Sequence, residues 1–133
     1  MIEHIIGDKI MSDPIIQEYC GDNVFLISAP DGTGCPYIVI KDSVTRHEDD
    51  VITMFNISIN IYEYNVDKRP LQKVMHRIED LLNEETFEDE NGIYSNVRVW
   101  FDSSDHIEGD DPDLSYMFMS FSARAAKNVK NTN

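Results

Sequence analysis

The chain has 133 residues, with 25 Asp and Glu against 11 Lys and Arg, a formal charge of −14. That length fits one domain with a real core, and 41% hydrophobic residues argue against a disordered acidic tail protein. The negative balance excludes long-range attraction to DNA, RNA or an anionic membrane, and favours solubility or a basic partner surface.

Along the chain, Ile2, Ile5, Ile6 and Ile10 fall on one helical face. Asp13-Pro14 is expected to end that helix, because a residue before proline disfavours the α region. Ile15 and Ile16 then pack as a short turn or a further helical piece. Asn23 to Ser28 reads as a strand, and Ala29 to Pro36 as a loop by its glycines and prolines. Tyr37 to Ile40 begins another strand, which fades into the polar run Arg46-His47-Glu48-Asp49-Asp50, a hairpin loop or an extended arm.

Val51 to Tyr64 alternates strictly, with Phe55, Ile57, Ile59 and Ile61 on one face and Asn56, Ser58, Asn60 and Tyr62 on the other. At roughly 3.3 Å per residue it would be about 46 Å long, so it is bent by a bulge or protrudes beyond the core. A second helix follows, capped by Asp67 or a neighbour, with Pro70 in its first turn. Its stripe of Leu71, Val74, Met75, Ile78, Leu81 and Leu82 can lie on the apolar face of the long strand. Tyr94 to Phe101 and Leu114 to Ala125 alternate again. The order predicts an α+β fold: a mainly antiparallel sheet of about five strands with two helices on one face. Residues 1–126 are expected to form a single domain, with 127–133 a flexible tail.

The charge is unevenly placed. Between Glu79 and Asp113 lie thirteen acids and one base, Arg98, so that stretch carries −12 while the remainder is nearly neutral. Most of it falls in two acidic segments read as loops, Glu84 to Gly92 and Asp102 to Asp113.

Little in the sequence points to catalysis. No secretory signal is expected, since Met1-Ile2-Glu3-His4 lacks a basic start and an apolar run, and no window approaches the roughly 20 apolar residues that span a bilayer. Cys20 and Cys35 show no metal spacing. His4, His47, His76 and His106 form no helical pair suited to a metal. There is no nucleophile elbow, P-loop or dinucleotide fingerprint, and Asp31-Gly32-Thr33-Gly34 reads as a turn. Neither acidic segment has the register and flanking helices of a calcium-binding EF-hand. No catalytic, cofactor-binding or metal-binding residue is therefore expected. The candidate interaction residues are Arg46, His47, Glu48, Asp49 and Asp50 in the polar arm, with Glu88, Asp89, Glu90, Asp105, Glu108, Asp110, Asp111 and Asp113 in the acidic segments.

The order of these features resembles the tail-completion (tail terminator) proteins of long-tailed bacteriophages. It is carried by the opening helix with Asp13-Pro14, by Pro36-Tyr37-Ile38-Val39-Ile40, and by the long strand Phe55 to Tyr64. The Leu71 to Leu82 helix and Asp110-Asp111-Pro112-Asp113 before the terminal strand complete it. The acidic segments and the Arg46 to Asp50 stretch depart from the pattern. The resemblance implies a non-enzymatic virion protein at the head-proximal end of the tail, assembled in the host cytoplasm. It would form a ring, usually a hexamer, that caps the tail tube protein and meets the head-completion or connector protein. DNA would pass the lumen without specific binding, and no cofactor or membrane is implied. An edge strand or long hairpin can join one subunit to the next by strand addition, and a cyclic head-to-tail contact closes a ring. The alternatives are another head-tail neck or joining protein, or an acidic module that mimics nucleic acid.

Overall fold

The structure, a computed structural model, describes residues 2–34, 36–64, 68–108 and 114–128, with the backbone alone at Glu108, Leu114 and Ser115. In chain order the elements are α1 (Glu3–Met11), α2 (Pro14–Cys20), β1 (Val24–Leu26), β2 (Tyr37–His47), β3 (Ile52–Tyr64), α3 (Arg69–Leu82), β4 (Glu85–Phe87), β5 (Tyr94–Glu108) and β6 (Leu114–Lys127). The strands form one sheet in the order β1-β2-β3-β6-β5-β4. Every neighbouring pair is antiparallel except β1 with β2. The fold is α+β, as the alternation predicts, with a third helix and a sixth strand beyond the expected set.

The period-two pattern of β3 dictates how the layers meet. Phe55, Ile57, Ile59 and Ile61 are buried on the helix side. Cross-strand register sets them beside Ile38 and Ile40 of β2 and Met117, Met119, Phe121 and Ala123 of β6. The helices close this layer with Ile6 and Ile10 of α1, Ile16 of α2, and Leu71, Val74, Ile78 and Leu82 of α3, all buried. Nothing in the described chain lies over the opposite sheet face as a second layer of helix or strand.

Asp13-Pro14 does more than stop α1. Asp13 has extended backbone, its side chain accepts from the Ile16 N–H at 3.2 Å, and Pro14 opens α2. An Asp-Pro pair is a break read forwards and an N-cap followed by Pro at the first helical position read backwards. Cys20 ends α2 as a buried small hydrophobe, and burial pushes its thiol up to about 11; Cys35 lies outside the described residues. At α3 the capping position is Lys68, with no side-chain cap, and Pro70 sits in the first turn as expected; Asp67 lies outside the described residues.

The polar arm is a hairpin. Arg46 and His47 end β2, and Glu48 to Val51 turn the chain into β3. The long strands bend rather than run straight, through irregularities at Val44/Arg46 in β2 and at Ser95/Arg98 and Phe101/Ser103 in β5. Beyond residue 126, the Lys127 N–H donates to Val51 C=O, and the Asn128 N–H donates to Ile93 C=O. Residues 129–133 lie outside the described part.

Both acidic segments differ in part from the expected loops. Asp102 to Glu108 is the second half of β5, with Ser103 to Glu108 paired residue by residue with Ser120 to Ser115 of β6 and Asp102 at the bulge. Asp and Ser are poor strand formers and give no apolar alternation, but the partner strand imposes the geometry. Within the first segment Glu85–Phe87 forms β4 against Val97 to Val99.

Candidate interaction surfaces

Three regions of the molecule present features a partner could read: the β2–β3 hairpin tip, the acidic β4–β5 side, and the uncovered face of the sheet.

At the hairpin tip, charge is organised into a small network. Glu48 accepts from Arg46 Nη2 through one oxygen and from Arg124 Nε of β6 through the other, each at 3.3 Å. His47 lies 3.2 Å from the Thr53 hydroxyl through Nδ1. Asp49 is a turn residue: one oxygen accepts from the N–H groups of both Val51 and Ile52 at 2.7 Å, and these bonds hold its carboxyl below the usual carboxylate range. Asp50 is exposed at the tip. The structure thus brings Arg46 and Glu48 together, adds Arg124, and assigns Asp49 to the backbone.

The acidic side divides by burial. Glu88 and Glu90 are exposed, and Glu88 accepts from the Asn96 N–H at 3.4 Å. Asp89, expected on a solvated docking patch, is buried. It accepts from His4 Nε2 at 3.0 Å, from the Asn91 N–H at 3.0 Å, and from the N–H groups of Ile93 and Tyr94 at 3.2 Å each. Burial alone would raise its carboxyl, but the His4 and backbone hydrogen bonds outweigh that and hold it low. Asp89 therefore organises the turn into β5 and ties it to α1, and His4 is not a solitary histidine. Asp105 is exposed on β5, level with Phe118, and Glu108 ends that strand. Asp110, Asp111 and Asp113 lie outside the described residues. The residues that are placed lie close in the fold: β4 and β5 are neighbouring strands at one edge of the sheet, and α3 contacts β5.

The uncovered sheet face carries a feature that chain order conceals. Tyr37, Tyr62 and Tyr116 occupy one cross-strand row on β2, β3 and β6. Their rings stack at centroid separations of 4.6 and 4.7 Å and interplanar angles of 20° and 18°. Phe25 of β1 meets Tyr37 edge-on at 6.4 Å. The Tyr116 hydroxyl donates to Asn60 Oδ1 at 2.6 Å, and burial together with Tyr62 pushes its phenol up to about 12. The sequence offers four aromatics scattered over more than ninety positions; only the register makes them one row.

A further pair, with no sign in the spacing of the sequence, clamps the helices. Arg77 of α3 donates from Nε at 3.0 Å and Nη2 at 2.6 Å to one oxygen of buried Asp13. That pairing is the first cause holding the Asp13 carboxyl low. Among the described residues no group of three His, Cys, Asp or Glu side chains converges as a metal site would require, and no helix is long and apolar enough to cross a membrane.

The sequence matches no protein-family model and no curated protein. Its fold does have a solved counterpart. A chain of the virion of a native gene transfer agent particle superposes with a TM-score of 0.76, covering 91% of this chain and 91% of that one, at 14% identity. At that identity the two chains share a fold, over about nine-tenths of each.

Proposed function

We propose that this chain is a structural, non-enzymatic protein of a phage-type virion that completes the tail. It caps the head-proximal end of the tail tube, ends tube polymerisation and joins tail to head, as a ring that is usually hexameric. The observation that carries this reading is the near-complete two-way coverage by a chain of a gene transfer agent virion. It is supported by the element order that resembles tail-completion proteins. Residues 1–126 act in it as a single domain, and the partners are further copies of the chain, the tail tube protein and the head-completion or connector protein. DNA passes the lumen without specific binding, and no cofactor takes part. The protein resides in the virion after assembly in the host cytoplasm. The exposed residues Arg46, His47, Glu48, Asp50, Glu88, Glu90 and Asp105 offer the docking charge, together with Glu108, Asp110, Asp111 and Asp113.

Particles assembled without this chain test the reading. Filled heads separated from tails of irregular length are expected in negative stain. Joined particles with tails of normal length would overturn it.

A further inference from the structure

The sheet ends in two open edges that match each other. β1 covers β2 only at Ile38 to Ile40, and β4 covers β5 only at Val97 to Val99. Beyond those short guards, residues 41–46 of β2 and 102–107 of β5 have no strand on their outer side among the described residues.

The direction of the free backbone groups follows from bonds already made. The Ile38 N–H donates to Asn23 C=O, and Ile40 C=O accepts from the Ile27 N–H. Alternation then turns the N–H and C=O of Asp42 and Val44 outward as well. On the other edge the Phe101 N–H donates outward, to Asn83 Oδ1. The irregularity between Phe101 and Ser103 shifts the parity, so Ser104 and His106 point outward.

We infer that these edges pair with each other between copies of this chain, β5 of one copy adding antiparallel to β2 of the next. This pairing is the seam of the proposed ring, and in that sense rests on the tail-completion reading. Strand directions alternate along β2, β3, β6 and β5, so a head-to-tail copy presents β5 antiparallel to β2 with no inversion. The free stretches, Lys41 to His47 and Trp100 to Glu108, can overlap over about six residues between the guards β1 and β4. Asp42 then faces His106, Val44 faces Ser104, and Ser43 faces Asp105.

Charge fits the same alignment. Lys41, Ser43 and Arg46 share the uncovered sheet face on one edge; Asp105 and Ile107 lie on that face of the other, with Asp102 at the neighbouring bulge. Arg46 comes level with Asp102, and Lys41 sits diagonal to Asp105.

The geometry also closes. Within one copy Asp42 is level with Ile57, Phe121 and Phe101, and His106 is level with Met117, so facing His106 means a stagger of about four rungs, roughly 13 Å. Four strands span roughly 19 Å at the usual spacing. Together they give a strand tilt of about 35°, at the lower end of the 35–45° of closed β-barrels.

The test uses two single-cysteine variants of the full chain, Ser43→Cys and Asp105→Cys, mixed and mildly oxidised. Both positions are exposed, and in this register they form a close pair of the kind a disulfide spans. Cross-linked heterodimer is expected to exceed the half that random pairing gives. Adding Val44→Pro to the first variant, which removes an outward N–H at an edge, is expected to abolish that excess while the circular dichroism is unchanged. If that variant unfolds, Ser104→Pro in the second chain makes the same cut from the other side. Arg46→Asp or Asp102→Arg is expected to lower the yield about two- to fivefold, and the two together to restore it. Random pairing, or an excess that survives both prolines, overturns the seam. Loss of the seam in a chain whose absence still detaches heads from tails would leave the tail reading standing. A seam in a chain whose absence leaves heads and tails joined would keep the pairing and remove the tail reading.

Discussion

Asp89 shows how a single carboxyl can be mistaken for surface charge. In Glu88-Asp89-Glu90 the three acids look equivalent, but only Asp89 is turned inward, onto three backbone N–H groups and His4. Asp89→Ala should therefore lower stability by about 2–3 kcal/mol, since buried donors lose their acceptor. Glu88→Gln and Glu90→Gln should stay within about 0.5 kcal/mol. Urea unfolding followed by tryptophan fluorescence measures all three. Arg77→Met should cost about 2–3 kcal/mol by leaving buried Asp13 without its guanidinium. The pH dependence has a definite sign. Asp13 and Asp89 are both held below the ordinary value of 3.8, so the native state binds fewer protons than the unfolded one. Their stabilisation is complete above that value and is withdrawn as pH falls through the native one. The gap between wild type and Arg77→Met should accordingly shrink in acid. Ile27 is the opposite case, a β-branched residue at φ 75° with its side chain 62% exposed. Little burial offsets that backbone strain, so Ile27→Gly should be neutral or stabilising by up to about 1 kcal/mol in the same assay.

At the scale of elements, what could be read from the sequence tracks periodicity. α1, β3, α3 and β6 were legible because each buries one face, and burial writes a repeat of 3.6 or 2 into the chain. The second half of β5 was not, because Asp102-Ser103-Ser104-Asp105 lies at the sheet margin where no apolar face is needed. β4 is a three-residue edge strand, too short to carry a period, whereas β1, equally short, was legible as an apolar run bounded by turn residues. The candidate site was less legible still. Arg46, Glu48 and Arg124 meet because β3 returns between β2 and β6, a relation set by register. The tyrosine row is of the same kind. Tyr62 stands in its middle and contacts both neighbours, so Tyr62→Ala removes two ring pairs worth about 0.5–1.5 kcal/mol each. A loss of about 2 kcal/mol is expected on urea unfolding, against roughly half that for Tyr37→Ala if packing against Phe25 is small.

For the whole molecule, most of the −14 falls between Glu79 and Asp113. The β2 edge and its hairpin carry Lys41 and Arg46 among Asp42, Glu48, Asp49 and Asp50, and an isolated copy leaves both edges open. Such an arrangement suits a component that gains its neighbours by assembly. The most direct measurement is the position of this chain in assembled particles, by cryo-electron microscopy of the head-tail junction. The account predicts a closed ring of its copies at the head-proximal end of the tail tube, each sheet continuous with the next from β5 to β2. Density for the chain in the capsid shell or at the distal tip of the tail, with none at the junction, would contradict it.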